Sequence, residues 1–412
     1  MKYGVIGEHL KHSFSPEIHA QIGSYPYEIV EIEPHRLEEF IKNREFLGIN
    51  VTIPYKEKVI PMLDFVDKAA KEIGAVNTVV QREGKLYGYN TDYSGMMALA
   101  NRIGLNIKGK KVLVVGTGGT SKTATHVLRD MGAKEIIYVS HIEEKGAFTY
   151  EEVYSHHTDC EIIFNTSPVG MYPKNDGIAL NLEAFPRLEG VLDVVYNPIR
   201  TSLVQKAHSL GIKAEGGLYM LGAQAVYANE HFFQRSVDVS IFDRVYKAVL
   251  KSKDNITLVG MPSSGKTTVG KLIAEKTGKK FVDTDNEIVK KIGMSIPEYF
   301  EKYGEAEFRR VESEVIKEIS AQNNQIIATG GGAVLNPDNV CRLKHNGNVY
   351  FLDRSISLLM PTSDRPLSSS REALEKRFKE RYPIYCDVCD IRIDGNGTPQ
   401  EVADKVIKEY TK

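Results

Sequence analysis

The stretch LVGMPSSGKTTVG runs from Leu258 to Gly270, and its reading decides the fold of everything behind it. Its centre, GMPSSGKT (260–267), fits G-x-x-x-x-G-K-[ST] without a mismatch. An apolar run, ITLVG (256–260), leads into it, and a helical pattern follows. In that setting Gly260 and Gly265 let the backbone wrap so that successive N–H groups face phosphate oxygens. Lys266 reaches the terminal phosphates, and Thr267 offers a hydroxyl to Mg²⁺. A nucleotide-binding α/β domain therefore opens here, after more than half of the 412 residues have passed.

The length predicts two or three domains at roughly 100–200 residues each. A hydrophobic fraction of 42% and a charged fraction of 26% are those of a soluble globular protein. With a net charge of −1 and mixed signs along the chain, a basic nucleic-acid surface or a membrane patch is not expected. MKYGVIGEH at the start reads straight into a buried strand, and no apolar run approaches the ~20 residues of a membrane span. Four scattered cysteines (160, 341, 386 and 389) suit a reducing cytoplasm. CDVC (386–389) has C-x-x-C spacing, but no second ligand pair accompanies it, so two incidental thiols are expected.

Ahead of the phosphate loop, short apolar runs alternate with amphipathic stretches, the pattern of an α/β fold. KYGVIG (2–7), EIVEI (28–32), GINVTIP (48–54), KKVLVVG (110–116), EIIYVS (135–140), EIIFNTSP (161–168) and GVLDVVY (190–196) read as strands. Residues 56–74 read as largely helical. TSKTATHVLRDMG reads as a helix closed by Gly132, and 220–236 as another. The charged segment 246–255 reads as a helix end and short linker, placing the main boundary near Lys253.

Behind the loop, FVDTD (281–285) reads as a strand with Asp283 and Asp285 pointing the same way. One carboxylate suits Mg²⁺ held through water and the other a hydroxyl's proton; a solvated turn is the plainer alternative. GEAEFRRVESEVI (304–316) is a helix carrying Arg309 and Arg310, and IIATGGGAV (326–334) sets three glycines after a strand, where a ligand comes close to backbone. DRPL (364–367) and ERYPIY (380–385) add Arg365 and Arg381.

In order and spacing these segments resemble shikimate kinase over essentially all of 255–412. The resemblance implies that Ser263, Ser264, Gly265, Lys266, Thr267, Thr268 and the lid's Arg365 serve ATP, with Thr267 and Asp283 at Mg²⁺. It implies Asp285 as base at the substrate hydroxyls, and Arg309 and Arg381 on the shikimate carboxylate beside Gly331. Guanidinium forks suit a planar carboxylate. In one departure, SLLMPTSDRPL is short and lacks the further arginine that the family's lid usually carries.

VVGTGGTSK (114–122) is a second phosphate motif of another design. A G-x-G-G turn after an apolar strand suits a dinucleotide pyrophosphate, although a plain strand-to-helix turn looks similar. At the next strand's tip stand Ser140, His141 and Ile142, with no acid for ribose hydroxyls and with Lys145 close behind. That leans towards NADP. Polar groups also gather where the earlier strands end: Ser13 and Ser15, Thr52 and Lys56, Asn77, and Asp92. Singly, the serines read as helix caps, Asn77 and Asp92 as turn residues, and Lys56 as a solvated lysine.

As a set, S-x-S-P, N-V-T-I-P-x-K, G-A-V-N-T, G-x-N-T-D, G-x-G-G-T, N-x-[ST]-P-x-G-M (165–171) and G-G-L-x-M-L-x-x-Q-A (216–225) resemble shikimate dehydrogenase over about 2–247. The resemblance implies that Ser13, Ser15, Thr52, Asn77, Asp92 and Gln224 bind substrate, with Tyr196 near, and that Lys56 and Asp92 form the proton-transfer pair. It implies Gly116, Gly118, Gly119, Thr120, Ser140, His141, Lys145 and Gly217 at NADP(H). The family's Asn-Arg-Thr for the 2′-phosphate is replaced by Ser140-His141-Ile142.

The expected architecture is a substrate α/β domain (1–98, completed by 217–247), a Rossmann NADP domain (99–216) and a P-loop kinase domain with a parallel sheet (254–412). The expected function is reduction of 3-dehydroshikimate followed by ATP/Mg²⁺-dependent phosphorylation of shikimate, with these small molecules as partners, no nucleic acid or membrane, and the oligomeric state open. Three rivals stay open: a metabolite-sensing pseudo-enzyme, one live domain beside a binding domain, and a quinate-specific dehydrogenase.

Overall fold

The structure, a computed structural model, describes residues 1–10, 13–142, 146–238, 240–360 and 370–412. The described chain divides into two compact units, Met1–Asn197 with Thr201–Leu250, and Pro198–Arg200 with Lys251–Lys412. Between them they hold three separate sheets, and every site below sits at a sheet's edge.

The first sheet is laid down by β1 (Tyr3–Gly7), α1 (Ser15–Ile22), β2 (Glu28–Glu31), α2 (Leu37–Asn43), β3 (Gly48–Val51), β4 (Phe65–Val66), α3 (Lys68–Ile73), β5 (Thr78–Arg82), β6 (Lys85–Tyr89) and α4 (Thr91–Arg102). Its order is β2-β1-β3-β5-β6-β4. β1 runs parallel to β2 and β3, whereas β5 is antiparallel to both β3 and β6. The continuous helix expected over 56–74 is not formed. Pro61 sits in a 3₁₀ turn, Ile60–Met62, and Asp64 is pinned to Leu86, whose N–H donates to the Asp64 carboxylate at 2.7 Å. β4 then pairs with β6, and helix begins only after Asp67, which caps α3 by accepting from the Ala70 N–H at 3.0 Å. A proline and two aspartates with backbone partners thus override the amphipathic pattern.

The second sheet uses β7 (Lys111–Val115), α5 (Gly119–Asp130), β8 (Glu135–Val139), α6 (Tyr150–His156), β9 (Ile162–Asn165), β10 (Gly190–Asp193), α7 (Ser202–Ser209) and β11 (Lys213–Glu215). The order β11-β10-β9-β7-β8 is parallel throughout, the Rossmann type of crossover sheet. Parallel strands are covered on both faces, which is why Val112–Val115 and Ile162–Phe164 are apolar without alternation and buried. α8 (Gly217–Phe233) then returns to pack on α4, α1 and β5, and α9 (Ser240–Lys253) follows. Gly95 permits the closeness of α4 to α8, since a Cβ there would lie 2.8 Å from the Met220 carbonyl.

The second unit is built from β12 (Asn255–Val259), α10 (Lys266–Thr277), β13 (Lys280–Asp283), α11 (Thr284–Ile292), α12 (Ile296–Ser320), β14 (Gln325–Ala328), α13 (Pro337–His345), β15 (Gly347–Asp353), α14 (Arg371–Val388), β16 (Ile391–Asp394) and α15 (Pro399–Tyr410). Its parallel order is β13-β14-β12-β15-β16, with the wholly buried β12 at the centre. The strand expected through Asp285 stops two residues earlier. Asp283 accepts from the N–H groups of Asp285 and Asn286 and so caps α11, which carries Asp285 in its first turn. Within α12, Gly304 adopts φ 80° and breaks the helix, and a fresh turn starts ahead of Arg309.

Candidate active sites

In the second unit, one cavity of about 490 Å³ is walled by Thr267, Asp283, Asp285, Arg309, Gly331 and Arg381, among others. These come from the first turn of α10, the end of β13, the first turn of α11, the second half of α12, the turn after β14 and α14, all meeting at one edge of the sheet. The three glycines are explained by what leans on them. A Cβ at Gly330 would lie 2.6 Å from Asp285 Oδ1, and one at Gly332 would lie 2.3 Å from the Arg309 guanidinium. The Gly331 carbonyl accepts from Arg381 Nη1 at 3.1 Å and from the Tyr385 hydroxyl at 2.5 Å. Arg309 is aimed by Glu312, whose Oε2 accepts from Nη1 at 2.7 Å, and by Glu305. Burial pulls the Arg309 pKa down, but these carboxylates more than offset it and the net shift is upward. Glu312 is 1% exposed, and its burial raises its own pKa despite the neighbouring guanidinium.

The phosphate loop has the backbone that its sequence requires. Gly265 takes φ 92° and Ser263 φ 63°. Lys266 is buried, and its ammonium donates to the carbonyls of Gly260 and Met261, each at 2.9 Å. Thr267 Oγ1 donates to Asp283 Oδ2 at 2.7 Å, so a hydroxyl and a carboxylate stand together as oxygen ligands for a hard cation. This donor set and the curled loop fit Mg²⁺ and a nucleotide triphosphate. Arg365 lies outside the described residues.

In the first unit, Lys56 Nζ donates to Asp92 Oδ2 at 2.7 Å, with both side chains largely shielded. Asp92 stands in the first turn of α4, which Asn90 caps by accepting from the Tyr93 N–H. The pair lines a cavity of about 170 Å³ together with Gly119, Thr120 and Thr123 of α5. The sequence-expected Ser13, Ser15, Thr52, Asn77, Tyr196 and Gln224 are not in that wall. Ser13 and Ser15 are not α1's caps: the N-cap position is Phe14, without a side-chain bond, and Ser13 Oγ contacts Ser15 Oγ at 3.1 Å. Tyr196 is tied to the same segment through Phe14, ring centroids 5.5 Å apart, and its burial raises the phenol pKa. Thr52 follows β3, and its N–H donates to the Ile6 carbonyl.

Asn77 is held by residues that sequence reasoning missed. Its Oδ1 accepts from the Thr91 N–H at 2.7 Å and from the hydroxyls of Thr78 and Thr91, both at 3.2 Å. With the oxygen so occupied, the amide NH₂ is the end left for a ligand. Thr91 Oγ1 also reaches Gln224 Oε1 at 3.4 Å, linking two expected substrate contacts through one threonine. Asn50 supports this from below, its Nδ2 donating to Thr78 Oγ1 at 3.1 Å. The visible signal was that Asn50 and Thr91 stand inside the quoted N-V-T and N-T-D motifs.

The turn after β7 fits a dinucleotide pyrophosphate. Gly116 takes φ 94°, and a Cβ at Gly118 or Gly119 would meet nothing within 4 Å, leaving open space over the N-terminus of α5. At the tip of β8, Ser140 Oγ accepts from the Ile142 N–H at 3.1 Å, and the His141 ring stacks on Tyr150 at 4.3 Å. Lys145 lies outside the described residues. Gly217 is required by packing, since a Cβ would lie 2.1 Å from the Val194 carbonyl. A further group that sequence reasoning missed is Asp193, wholly buried at the end of β10. It accepts from Thr201 Oγ1, Asn165 Nδ2 and the Val195 N–H, and burial raises its pKa to about 6.

Comparison with known proteins matches both halves. A family model described as shikimate dehydrogenase substrate binding domain covers residues 5–79, and one described as shikimate kinase covers 262–411. A shikimate dehydrogenase (NADP(+)) of Clostridium perfringens (strain SM101 / Type A) is 37% identical over 263 residues, 60% of this chain and 97% of that protein. A Thermus thermophilus shikimate 5-dehydrogenase solved with NADP(H) and shikimate matches at 28% identity and TM-score 0.54, over 60% of this chain and 99% of that one. A shikimate 5-dehydrogenase from Listeria monocytogenes solved with shikimate and NAD matches at 27% identity and TM-score 0.53, over 60% and 96%.

Proposed function

The chain belongs to the shikimate dehydrogenase family through its first unit and carries a shikimate kinase domain in its second, and we propose that it performs both reactions in sequence. The division into 1–98 with 217–247, 99–216 and 254–412 is part of this reading, supported by the three separate sheets. A cytoplasmic location and small-molecule partners belong to it too. Among the described residues, no helix is long and apolar enough to cross a membrane.

Bound NADPH supplies a hydride to the ring ketone of 3-dehydroshikimate. Lys56 delivers a proton to the oxygen as it becomes a hydroxyl, and Asp92, 2.7 Å away, orients the ammonium. Asn77 and Gln224, joined through Thr91, present amides to the substrate's hydroxyls. Ser13 and Ser15 face its carboxylate. In the second site Arg309 and Arg381 hold the shikimate carboxylate beside Gly331, and Asp285 takes the proton of the hydroxyl that attacks the γ-phosphorus of ATP. Thr267 and Asp283 hold Mg²⁺, which neutralises phosphate charge. Lys266 leaves the carbonyls of Gly260 and Met261 for the phosphate oxygens.

The observation that carries this reading is the cavity of the second unit, where Asp285 and two arginines share a wall with the Thr267–Asp283 pair. The test is a mass-resolved assay of the whole chain with 3-dehydroshikimate, NADPH and Mg-ATP, and the expected product is shikimate 3-phosphate. Accumulation of shikimate alone would leave one live domain. No product with NADPH or NADH would favour a sensor.

A further inference from the structure

Beside the Gly-rich turn lies a second cavity of about 420 Å³, separate from the one at Lys56 and Asp92. Its wall includes Thr117 of the turn, Tyr138 of β8, Gly146 and Ala147, and one face of α5. That face carries Lys122, His126 and Arg129 at i, i+4 and i+7, a spacing that stacks them on one side of a helix. We infer that this face of α5, chiefly His126 and Arg129, binds the adenosine 2′-phosphate of NADP(H) in place of Ser140 and His141 at the tip of β8.

The inference rests on the dehydrogenase reading above and deepens it. Three observations carry it. First, the two cavities flank the same turn: Gly119 and Thr120 border the one with the catalytic pair, Thr117 and Ser121 the other. A dinucleotide whose pyrophosphate lies on this turn has its nicotinamide towards the former and its adenosine towards the latter. Second, Ser140 and His141 at the tip of β8 are engaged elsewhere, Ser140 on the Ile142 N–H and His141 stacked on Tyr150. Third, the side chains of His126 and Arg129 have no hydrogen-bond or ion-pair partner among the described residues.

The neighbouring groups are mixed but favour an anion. Lys122 donates to Glu57 at 2.9 Å and is partly neutralised, and among the described residues Glu72 is the one acid in the wall. Thr125 and Tyr138 satisfy each other at 2.7 Å and form an uncharged floor. His126 stands about 10 Å along α5 from Gly119 at 1.5 Å per residue. Side chains on a helix lean towards its N-terminus, so the imidazole and the longer guanidinium reach back towards the turn. A guanidinium is the side chain best matched to a phosphate.

Calorimetric titration of the full chain with NADP⁺ and with NAD⁺, the kinase site saturated with Mg-ADP, tests this by the ratio of the two affinities. The intact chain should prefer NADP⁺. Arg129→Gln with His126→Gln should cut that preference by about tenfold or more while NAD⁺ still binds, and Arg129→Gln alone, at an exposed position, should move it the same way. His141→Gln should change it less than about twofold. An unchanged ratio in the double variant, an equal loss of NAD⁺ affinity, or an intact chain with no preference would each overturn the inference. Reduction of 3-dehydroshikimate with NADH by a chain that shows no preference would overturn this inference alone. A chain that binds neither dinucleotide and reduces nothing would overturn the dehydrogenase reading with it.

Discussion

The two active sites are assembled in different ways. In the kinase unit, six residues expected from short motifs wall a single cavity at one edge of one parallel sheet. In the dehydrogenase unit, the Lys56–Asp92 pair meets only the α5 residues of the second sheet, and the other expected substrate contacts lie outside that wall. A P-loop sheet sends its loops to one edge, so chain order and topology suffice to gather the groups. A dehydrogenase site drawn from two sheets depends on tertiary packing of α4 and α8, which no local motif encodes.

Sites built this differently should run as independent chemistries. Lys56→Ala should lower reduction by roughly 10³-fold and leave phosphorylation intact, within the range seen when a positioned acid–base group is removed. Lys266→Ala should do the reverse. Loss of both activities in a folded single variant, measured by separate dehydrogenase and kinase assays, would show that the sites do not work apart.

The glycines after β14 sharpen it further, because their neighbours differ. Gly332→Ala drives a Cβ into the Arg309 guanidinium, 2.3 Å away, and should raise the KM for shikimate about tenfold or more with a smaller effect on kcat. Gly330→Ala meets Asp285 Oδ1 at 2.6 Å and should act mainly on kcat. Steady-state kinetics at saturating ATP separates the two.

A third comparison concerns stability. Asp193, at the carboxyl edge of the second sheet, is buried with a pKa raised to about 6 from 3.8. The folded chain therefore holds a proton on Asp193 between about pH 4 and 6 that the unfolded chain has released, and stability falls as pH rises through that window. The ionised form costs on the order of 2–3 kcal/mol above it. Asp193→Asn should remove that slope, read as the difference between variant and parent in urea midpoints from pH 4.5 to 7. Parallel curves would mean that Thr201, Asn165 and the Val195 N–H satisfy the anion fully.

Legibility follows the same division. G-x-x-x-x-G-K-T, the aspartates of FVDTD and the triple glycine are local signals whose backbone demands are met where they stand. Even so, Asp285 was expected on a strand and lies on a helix, because an aspartate two residues earlier caps that helix. The helix expected over 56–74 is not formed because Pro61 sits in a 3₁₀ turn and Asp64 and Asp67 accept from the backbone N–H groups of Leu86 and Ala70. Asp193 stands inside an apolar strand, where its sequence neighbours give no sign of a role. Nothing in GVLDVVY shows that Thr201, eight residues on, turns back to bond it. Glu312 was equally silent, since its role lies in a side chain one helical turn away.

Thr91 offers the smallest effect and the finest probe of how packing builds the dehydrogenase site. Its hydroxyl joins Asn77 on one side and Gln224, on α8, on the other, at 3.2 and 3.4 Å. Both distances are long for hydroxyl hydrogen bonds, so each is weak, while the backbone bond from the Thr91 N–H to Asn77 at 2.7 Å survives a change of side chain. Thr91→Val keeps the shape, removes only the hydroxyl, and should cost about 1 kcal/mol of stability. If the threonine aligns the two amides for substrate, KM for 3-dehydroshikimate should rise a few-fold, roughly the worth of one hydrogen bond, with the kinase parameters unmoved. A stability loss with KM unchanged would assign Thr91 to the core and leave its backbone N–H and the Thr78 hydroxyl to orient Asn77.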